Sequence, residues 1–496
     1  MKRAGAALFS GEMDFCREVL NRLHQKREVR NSKETEMKTV ITNTLDGSDI
    51  LVDGDRIAAL GTPAMIRSMA GPDARILDVQ KSMALPGFND SHMHLRMTGQ
   101  MLTGCRLDTA GSITEIQSIL RSCHEPFVHG MGWDQENLLE KRMPERRDLD
   151  AVNPDIPIVC ERYCTHILTA NTAAMKLAGV WREDGIFQEA ACEPLLEALD
   201  SQAARHIQAG VDHCLARGLT TVQIADLKTG NWRKLLPLYR DASQRIRIHH
   251  QVNITDPKEM EDFLREARLY ETDTHTFGPF KGFADGSLGG RTAWLGREYA
   301  DEPGNFGEPC MTEEEMETFV EACDRLNRPV IFHAIGDAAI RQVLAVYRRH
   351  PGMKQGILHL QITDEAILQD LERLQTDCMV QPVFWRSDRN IVEQRVGTRM
   401  ARTSYAFGWM ASHARVSLGT DCPIEDCDPL ENIRWAVSMP GGLSEKQALT
   451  AYTEGSAWAM GRSRDLGKLA PGYLADIVFV RDGTVTGVMV NGQMTE

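Results

Sequence analysis

Pro329-Val330-Ile331-Phe332-His333 is an apolar run closed by a histidine. Gly336-Asp337 opens a helical stretch to His350, and Gly356-Ile357-Leu358-His359 is a second apolar run closed by a second histidine. Strand, helix, strand in close succession argues for parallel α/β structure. The alternation extends in both directions. Eight strand candidates end near His94, Ala225, Asn253, Asp285, His333, His359, Gln381 and Asp421. Between them Thr312 and Glu315 form a capping box before an amphipathic run to Asn327, and Ser444 with Gln447 caps a helix to Met460. Eight parallel strands with interleaved helices predict a (β/α)8 TIM-type barrel over residues 85–464. Residues 96–200 break the alternation. They hold strand candidates Phe127–Met131 and Ile156–Arg162 and are read as an insertion after the first strand.

Both ends of the chain differ from this middle. Lys38–Asn43, Ile50–Asp53, Asp55–Leu60 and Arg75–Val79 are short strand-like segments, and Asp53-Gly54 is a hairpin signal. Ala475–Val480 and Val485–Val490 match them, with Asn491-Gly492 behind. Residues 37–84 and 465–496 are therefore expected to build one small β-sandwich domain. Residues 1–36 are charged from Arg17 onward and lack a strand pattern, and Met37 opens β-type sequence abruptly. They read either as an extension or mis-called start, or as an N-terminal helix over Phe15–Lys26.

Composition narrows the function. The 496 residues carry 56 Lys+Arg against 70 Asp+Glu, a net charge of −14, with 42% hydrophobic and 25% charged residues. This is an ordinary globular mix. Its acidity lacks the footprint of a nucleic-acid binder and suits anionic membrane surfaces poorly. No apolar stretch reaches the ~18 residues of a membrane span, and the first residues do not form a signal peptide. None of the 12 cysteines sits in a CxxC pair, so they read as reduced thiols of a cytoplasmic protein. The expected partner is a small-molecule substrate, with a homodimer as the default assembly.

The histidines carry the chemistry. His92-Met93-His94 follows the apolar run Met83–Phe88, and residues i and i+2 of a strand share a face, so two imidazoles converge. In a chain with 15 histidines such a pair alone is most often structural. His333 and His359, however, also end apolar strands, at the barrel end where active sites are built. Asp421 ends the run Arg415-Val416-Ser417-Leu418-Gly419-Thr420; it reads as a turn former or, on a rim with four histidines, as a ligand and general base. Lys281 lies inside the fourth strand, where a charged amine is costly to bury.

Pro86-Gly87-Phe88-Asn89-Asp90-Ser91-His92-Met93-His94, Lys281, His333, His359 and Asp421, in that strand order, resemble the amidohydrolase superfamily. More narrowly, the chain is similar to amidohydrolase family 3, which includes N-substituted formamide deformylase-like enzymes. Gly130-Met131-Gly132-Trp133-Asp134, Asp285–Ala293, His333–Asp337 and Leu466–Asp476 support this, and the likeness runs from about residue 38 to the end. The resemblance implies a metal-dependent hydrolase acting on a non-peptide carbon–nitrogen bond: amide, N-acyl or N-formyl. In such a site His92 and His94 hold one Zn²⁺, and His333 and His359 a second, with Mn²⁺ or Co²⁺ as substitutes. Carboxylated Lys281 bridges the ions, and Asp421 binds metal and moves protons between water and the leaving nitrogen. Metal lowers the pKa of water toward ~7 and so supplies the nucleophile. A mononuclear deaminase or an esterase or lactonase is the alternative on the same scaffold; a catalytically silent binding protein is a further one.

The sequence departs from the pattern in three places. Leu358-His359-Leu360-Gln361 replaces the usual Glu-His-Ala-Gln, removing a carboxylate beside the ligand. The insertion has Cys164-Thr165-His166 in place of Asp-Gly-His, leaving His166 as a substrate contact or a loop histidine. Thr420-Asp421-Cys422-Pro423 replaces Ser-Asp-Ala-Pro, and Cys422 reads as a small buried hydrophobe, with oxidation or metal capture as the alternative. Further substrate-contact candidates are Trp133, which is otherwise core, Trp385 after the seventh strand, and Arg291. The arginine follows glycines after the fourth strand and reads as a carboxylate clamp or a tie to Asp285. Asp337 reads as a helix N-cap.

Overall fold

The computed structural model describes residues 38–162 and 167–495. The expectations for residues 1–36 and for His166 lie outside the described residues. The described residues divide into two compact units, one holding those up to Pro86 with Lys468–Met494, the other lying within Gly87–Gly467.

The smaller unit has two four-stranded sheets. In one, Asp49–Asp53 pairs antiparallel with Thr39–Thr42 and Arg56–Gly61, and Arg75–Asp78 adds parallel to Thr39–Thr42. The other runs Gln493–Met494, Thr484–Val490, Ile477–Arg481, Met83–Pro86. Gly54 (φ 62°) makes the first hairpin, and Asn491-Gly492 (φ 50° and 74°) a second, the left-handed pair that a two-residue turn requires. Ile41, Ile50, Val52 and Ile57 of one sheet and Ile477, Phe479 and Met489 of the other form a single buried cluster.

In the larger unit eight parallel strands form a barrel: β1 (Phe88–Met93), β2 (Leu219–Ile224), β3 (Arg247–Val252), β4 (His275–Phe283), β5 (Val330–Ala334), β6 (Gln355–His359), β7 (Asp377–Val380) and β8 (Arg415–Leu418). All eight end where the apolar runs of the sequence end. The run Met83–Phe88 is not one strand, however. It breaks at Gly87, so that Met83–Pro86 serves the smaller unit and Phe88 opens β1. Both capping boxes form, Thr312 with Glu315 and Ser444 with Gln447. The helix from Ser444 is not uniform: an α-turn passes into a π-turn over Ala451–Gly455 before Ser456–Ala459. Asp337 is the first helical residue and not the N-cap, which is Gly336.

The β1–β2 crossover consists of α1 (Leu95–Thr103) and α2 (Ala203–Ala216), with the insertion between them. A Cβ on Gly99 would meet His206 O at 1.6 Å, so the two helices approach backbone to backbone. The insertion has its own five-stranded sheet: Ile186–Gln188, Ile167–Ala170, Ile158–Arg162, Val128–Trp133 and Cys105–Arg106 in spatial order. Its core holds Leu107, Ile116, Leu120, Trp133 and Ile158. Cys105 and Cys123 are joined in a disulfide across its edge, with Cα atoms 6.6 Å apart, an exception to the reading of every cysteine as reduced. Among the described residues no helix is long and apolar enough to cross a membrane.

β8 closes onto β1 through the backbone and one buried carboxylate. Asp421 N–H donates to His92 O (2.8 Å) and His94 N–H to Cys422 O (2.7 Å). Asp90 accepts from Thr420 Oγ1 (2.6 Å), Thr420 N (3.2 Å) and His92 N (3.0 Å). Thr420→Val strips the shortest of these bonds from a fully buried carboxyl group. It is expected to cost about 1–3 kcal/mol, read as a lower urea midpoint with an unchanged slope.

Candidate metal centre

The strand ends of the barrel gather the residues singled out from the sequence. His92 lies on β1, and His94 follows it as the N-cap of α1. Lys281 is on β4, His333 on β5 and His359 ends β6, while Asp421 follows β8. The His92 and His94 rings are 5.4 Å apart between centroids, His92 and His359 5.8 Å, and His333 and His359 4.4 Å. Asp421 Oδ1 is 3.3 Å from the Nε2 atoms of both His92 and His94. These three residues bring their ligand atoms within 4.8 Å of one another. Lys281 Nζ is 3.2 Å from His92 Nε2. Two of these positions have a left-handed backbone unusual outside glycine, His359 at φ 78° and Asp421 at φ 56°.

Each imidazole is held through one nitrogen so that the other faces the cluster. Gln251 Nε2 donates to Ser91 O (2.8 Å), which turns its Oε1 toward His92 Nδ1 at 2.6 Å. Nδ1 must then be the donor, and Nε2 keeps its lone pair. Gln381 repeats the arrangement: its Nε2 donates to Met379 O (3.2 Å), and its Oε1 accepts from His359 Nδ1 (2.9 Å). His94 Nδ1 lies 3.5 Å from Asp226 Oδ1, and that carboxylate is fixed by Arg96 N–H and the Tyr239 hydroxyl. His333 is reversed. Its Nε2 donates to Gly286 O (2.9 Å), leaving Nδ1 as the lone-pair nitrogen.

Electrostatics agree with this arrangement. Burial holds His92 and His333 down to about 4 and His359 well below the usual histidine range, so all three stay neutral, as ligands must. Burial also opposes charge on His94, but the carboxylates of Asp226 and Asp421 beside it outweigh this and raise the group to about 9. Burial lowers Lys281 to about 8. Burial opposes ionisation of Asp421 as well, but its contacts with His92 and His94 hold it well below the carboxylate range. His359 Nε2 and Asp421 Oδ1 are buried without a hydrogen-bond partner. Convergent nitrogen lone pairs and an unsatisfied anionic oxygen fit a divalent cation.

A sequence profile of the Amidohydrolase family matches residues 75–487. The chain belongs to the amidohydrolase family. It is 27% identical over 475 residues to a Bacillus subtilis protein assigned as the amidohydrolase YtcJ, covering 86% of this chain and 89% of that one. It is 24% identical over 508 residues to the N-substituted formamide deformylase of Arthrobacter pascens, covering 89% and 91%. A crystal structure of an uncharacterized metal-dependent hydrolase from Pyrococcus furiosus superposes with a TM-score of 0.76 at 27% identity, covering 90% of this chain and 98% of that one. The chain is thus a hydrolase of a family that works with a divalent metal.

The substrate-contact candidates are placed less uniformly. Trp133 is fully enclosed in the core of the insertion, its alternative reading. Trp385 follows β7 and packs edge-on against Tyr405, partly exposed. Arg291 does not tie down Asp285; its guanidinium pairs with Asp301 and Glu302. Asp285 instead accepts from the backbone N–H groups of Trp294, Ile335 and Gly336. Leu358 packs against Ile331 and Met379, so its position needs no carboxylate, and Gln381 supplies the partner of His359. Sequence reasoning passed over Gln251, Gln381 and Asp226. Only Asp226 left a signal, a carboxylate one residue past the apolar strand ending at Ala225.

Outer partners of metal-bound histidines typically carry 10–100-fold in metal affinity. Gln251→Leu frees His92 to take either tautomer and is expected to weaken divalent-metal binding by about that factor, measured by competition with a chromophoric chelator.

Proposed function

We propose that this amidohydrolase cleaves a carbon–nitrogen bond of the amide, N-acyl or N-formyl type in a small molecule. One or two Zn²⁺ ions would be held by His92, His94, Lys281, His333, His359 and Asp421. The observation that carries the reading is the gathering of four imidazoles at one set of strand ends, two of them with Nε2 3.3 Å from the same Asp421 carboxylate oxygen. The likeness to an N-substituted formamide deformylase supports the choice of bond.

A bound divalent cation supplies two things: it acidifies water and polarises a carbonyl oxygen. The residues of the chain do the rest. Asp421 stays ionised in spite of its burial, so it can take a proton from the attacking water and hand it to the leaving nitrogen. Lys281, lowered to about 8, offers a sizeable neutral fraction near neutral pH. The neutral amine can add CO2, forming a nitrogen–carbon bond and releasing one proton, which turns a buried cation into an anionic oxygen ligand. Arg291 would hold a substrate carboxylate by exchanging it for Asp301 and Glu302. Such solvent-exposed pairs contribute little to stability, so the exchange is cheap.

A second reading, a single-ion deaminase, has one observation in its favour. The tight group of ligand atoms comprises only His92, His94 and Asp421. Metal analysis separates the two: two equivalents with a carbamate mass gain on Lys281 support the first, one equivalent and an unmodified amine the second.

The direct test is a hydrolysis screen of N-formyl, N-acetyl and cyclic amide compounds with metal-loaded protein. Chelation is expected to abolish turnover, and Zn²⁺, Mn²⁺ or Co²⁺ to restore it. Asp421→Asn should lower kcat by about 10²–10⁴-fold while circular dichroism stays unchanged. Native turnover by that variant on a verified substrate would overturn the role given to Asp421.

A further inference from the structure

A second set of metal-binding side chains lies where α2 meets the loop after β8. His213 Nε2 is 2.7 Å from Asp426 Oδ1, and these atoms with Cys427 Sγ lie within 4.8 Å of one another. Cys427 is fully buried, and its thiol lies against those of Cys214 and Cys422. Cys214 Sγ is in turn 3.8 Å from Met93 Sδ, and Thr98 Oγ1 donates to Cys422 Sγ at 3.3 Å. The six candidate ligands at the strand ends offer only nitrogen and oxygen; this cluster adds sulfur.

We propose that His213, Asp426 and Cys427, completed by Cys214, form a separate site for a borderline-soft divalent cation, Zn²⁺ in particular. Two thiolates, an imidazole and a carboxylate are a tetrahedral zinc donor set. Both pairs are adjacent in sequence, His213-Cys214 on α2 and Asp426-Cys427 on the loop, so one ion would pin the helix to the loop. Arg217 Nη2 takes the other carboxylate oxygen, Oδ2, at 2.7 Å, which leaves Oδ1 to face the histidine and the cysteine. The proton between His213 and Asp426 stands where the cation would bind. Coordination replaces that hydrogen bond and expels the thiol protons. His213 and Asp426 are partly exposed, which gives the ion an entry path to the buried sulfurs. The ion would fasten the segment that leaves Asp421, five residues before Asp426, and so stiffen the mouth from behind.

Cobalt substitution tests the site without any substrate. Thiolate bound to Co²⁺ gives an intense near-ultraviolet charge-transfer band that nitrogen and oxygen ligands do not. The expected result is that band in the reduced, Co²⁺-loaded protein and in Asp421→Asn, its loss in Cys427→Ser, and one fewer zinc equivalent in Cys427→Ser by elemental analysis. His213→Gln, at a partly exposed position, should need at least tenfold more Co²⁺ to reach the same band, and it decides the matter if Cys427→Ser does not fold. No band in the fully loaded wild type, a band that survives Cys427→Ser, or one lost on Cys422→Ala but not on Cys427→Ser would each overturn the proposal.

Discussion

The site depends on the closure of the last barrel strand onto the first. Thr420 and Asp90 are 330 residues apart in sequence, yet the carboxylate accepts the threonine hydroxyl and both backbone N–H groups beside it. That junction sets Asp421 beside His92 and His94, because the bond from Asp421 N to His92 O runs through the same residues. Gly419 permits it: a Cβ there would meet His92 N at 2.7 Å and Asp90 Oδ1 at 2.9 Å. The left-handed backbone of Asp421 is tolerated because the closure fixes it from both sides. Burial raises Asp90 to about 7, so this carboxyl group is a structural buckle, chemically unlike the ionised Asp421 nearby.

Once the strands are closed, the character of the site is set by what backs each imidazole. Glutamine amides anchored on backbone carbonyls hold His92 and His359, and a carbonyl holds His333. These are neutral acceptors, so they fix the tautomer without favouring protonation. His94 is backed by a carboxylate. It is therefore the most basic of the four imidazoles. The two halves of the mouth are unequal as a result: carboxylates reach His92 and His94 directly, while His359 has an amide as its partner.

Much of this was legible in the sequence, for a physical reason. A parallel strand ending at an active site is an apolar run followed by a polar residue, and that step survives in one dimension. It located all eight strands and the histidines and aspartate that the structure brings together at their ends; Lys281, inside the fourth strand, stands out instead as a charged amine in a buried segment. What remained hidden has no such step. Gln251 and Gln381 are strand or strand-end amides whose value lies in a partner far along the chain. Trp133 reads in the sequence as substrate contact or as core, and the sheet that the insertion folds around it decides for core. Asp337 has the look of an N-cap. Its carboxylate instead accepts from Gly296 N–H and ties down the loop after β4, a contact that local sequence cannot announce.

The division of labour between strands and loops follows from these anchors. The strand ends supply groups that are buried, oriented and paired through rigid backbone, so they determine which bond chemistry the mouth supports. The loop after β4 is built differently. Asp285 grips it at Trp294 N and Asp337 at Gly296 N, while the Arg291 guanidinium pairs with Asp301 and Glu302 at the solvent-facing tip. Rigid at its roots and exchangeable at its tip, such a loop can vary in what it meets without disturbing the imidazoles behind it. On the proposed reading, the strand ends would carry the reaction class and the tip of this loop the substrate contact, two parts that can change independently on one fold.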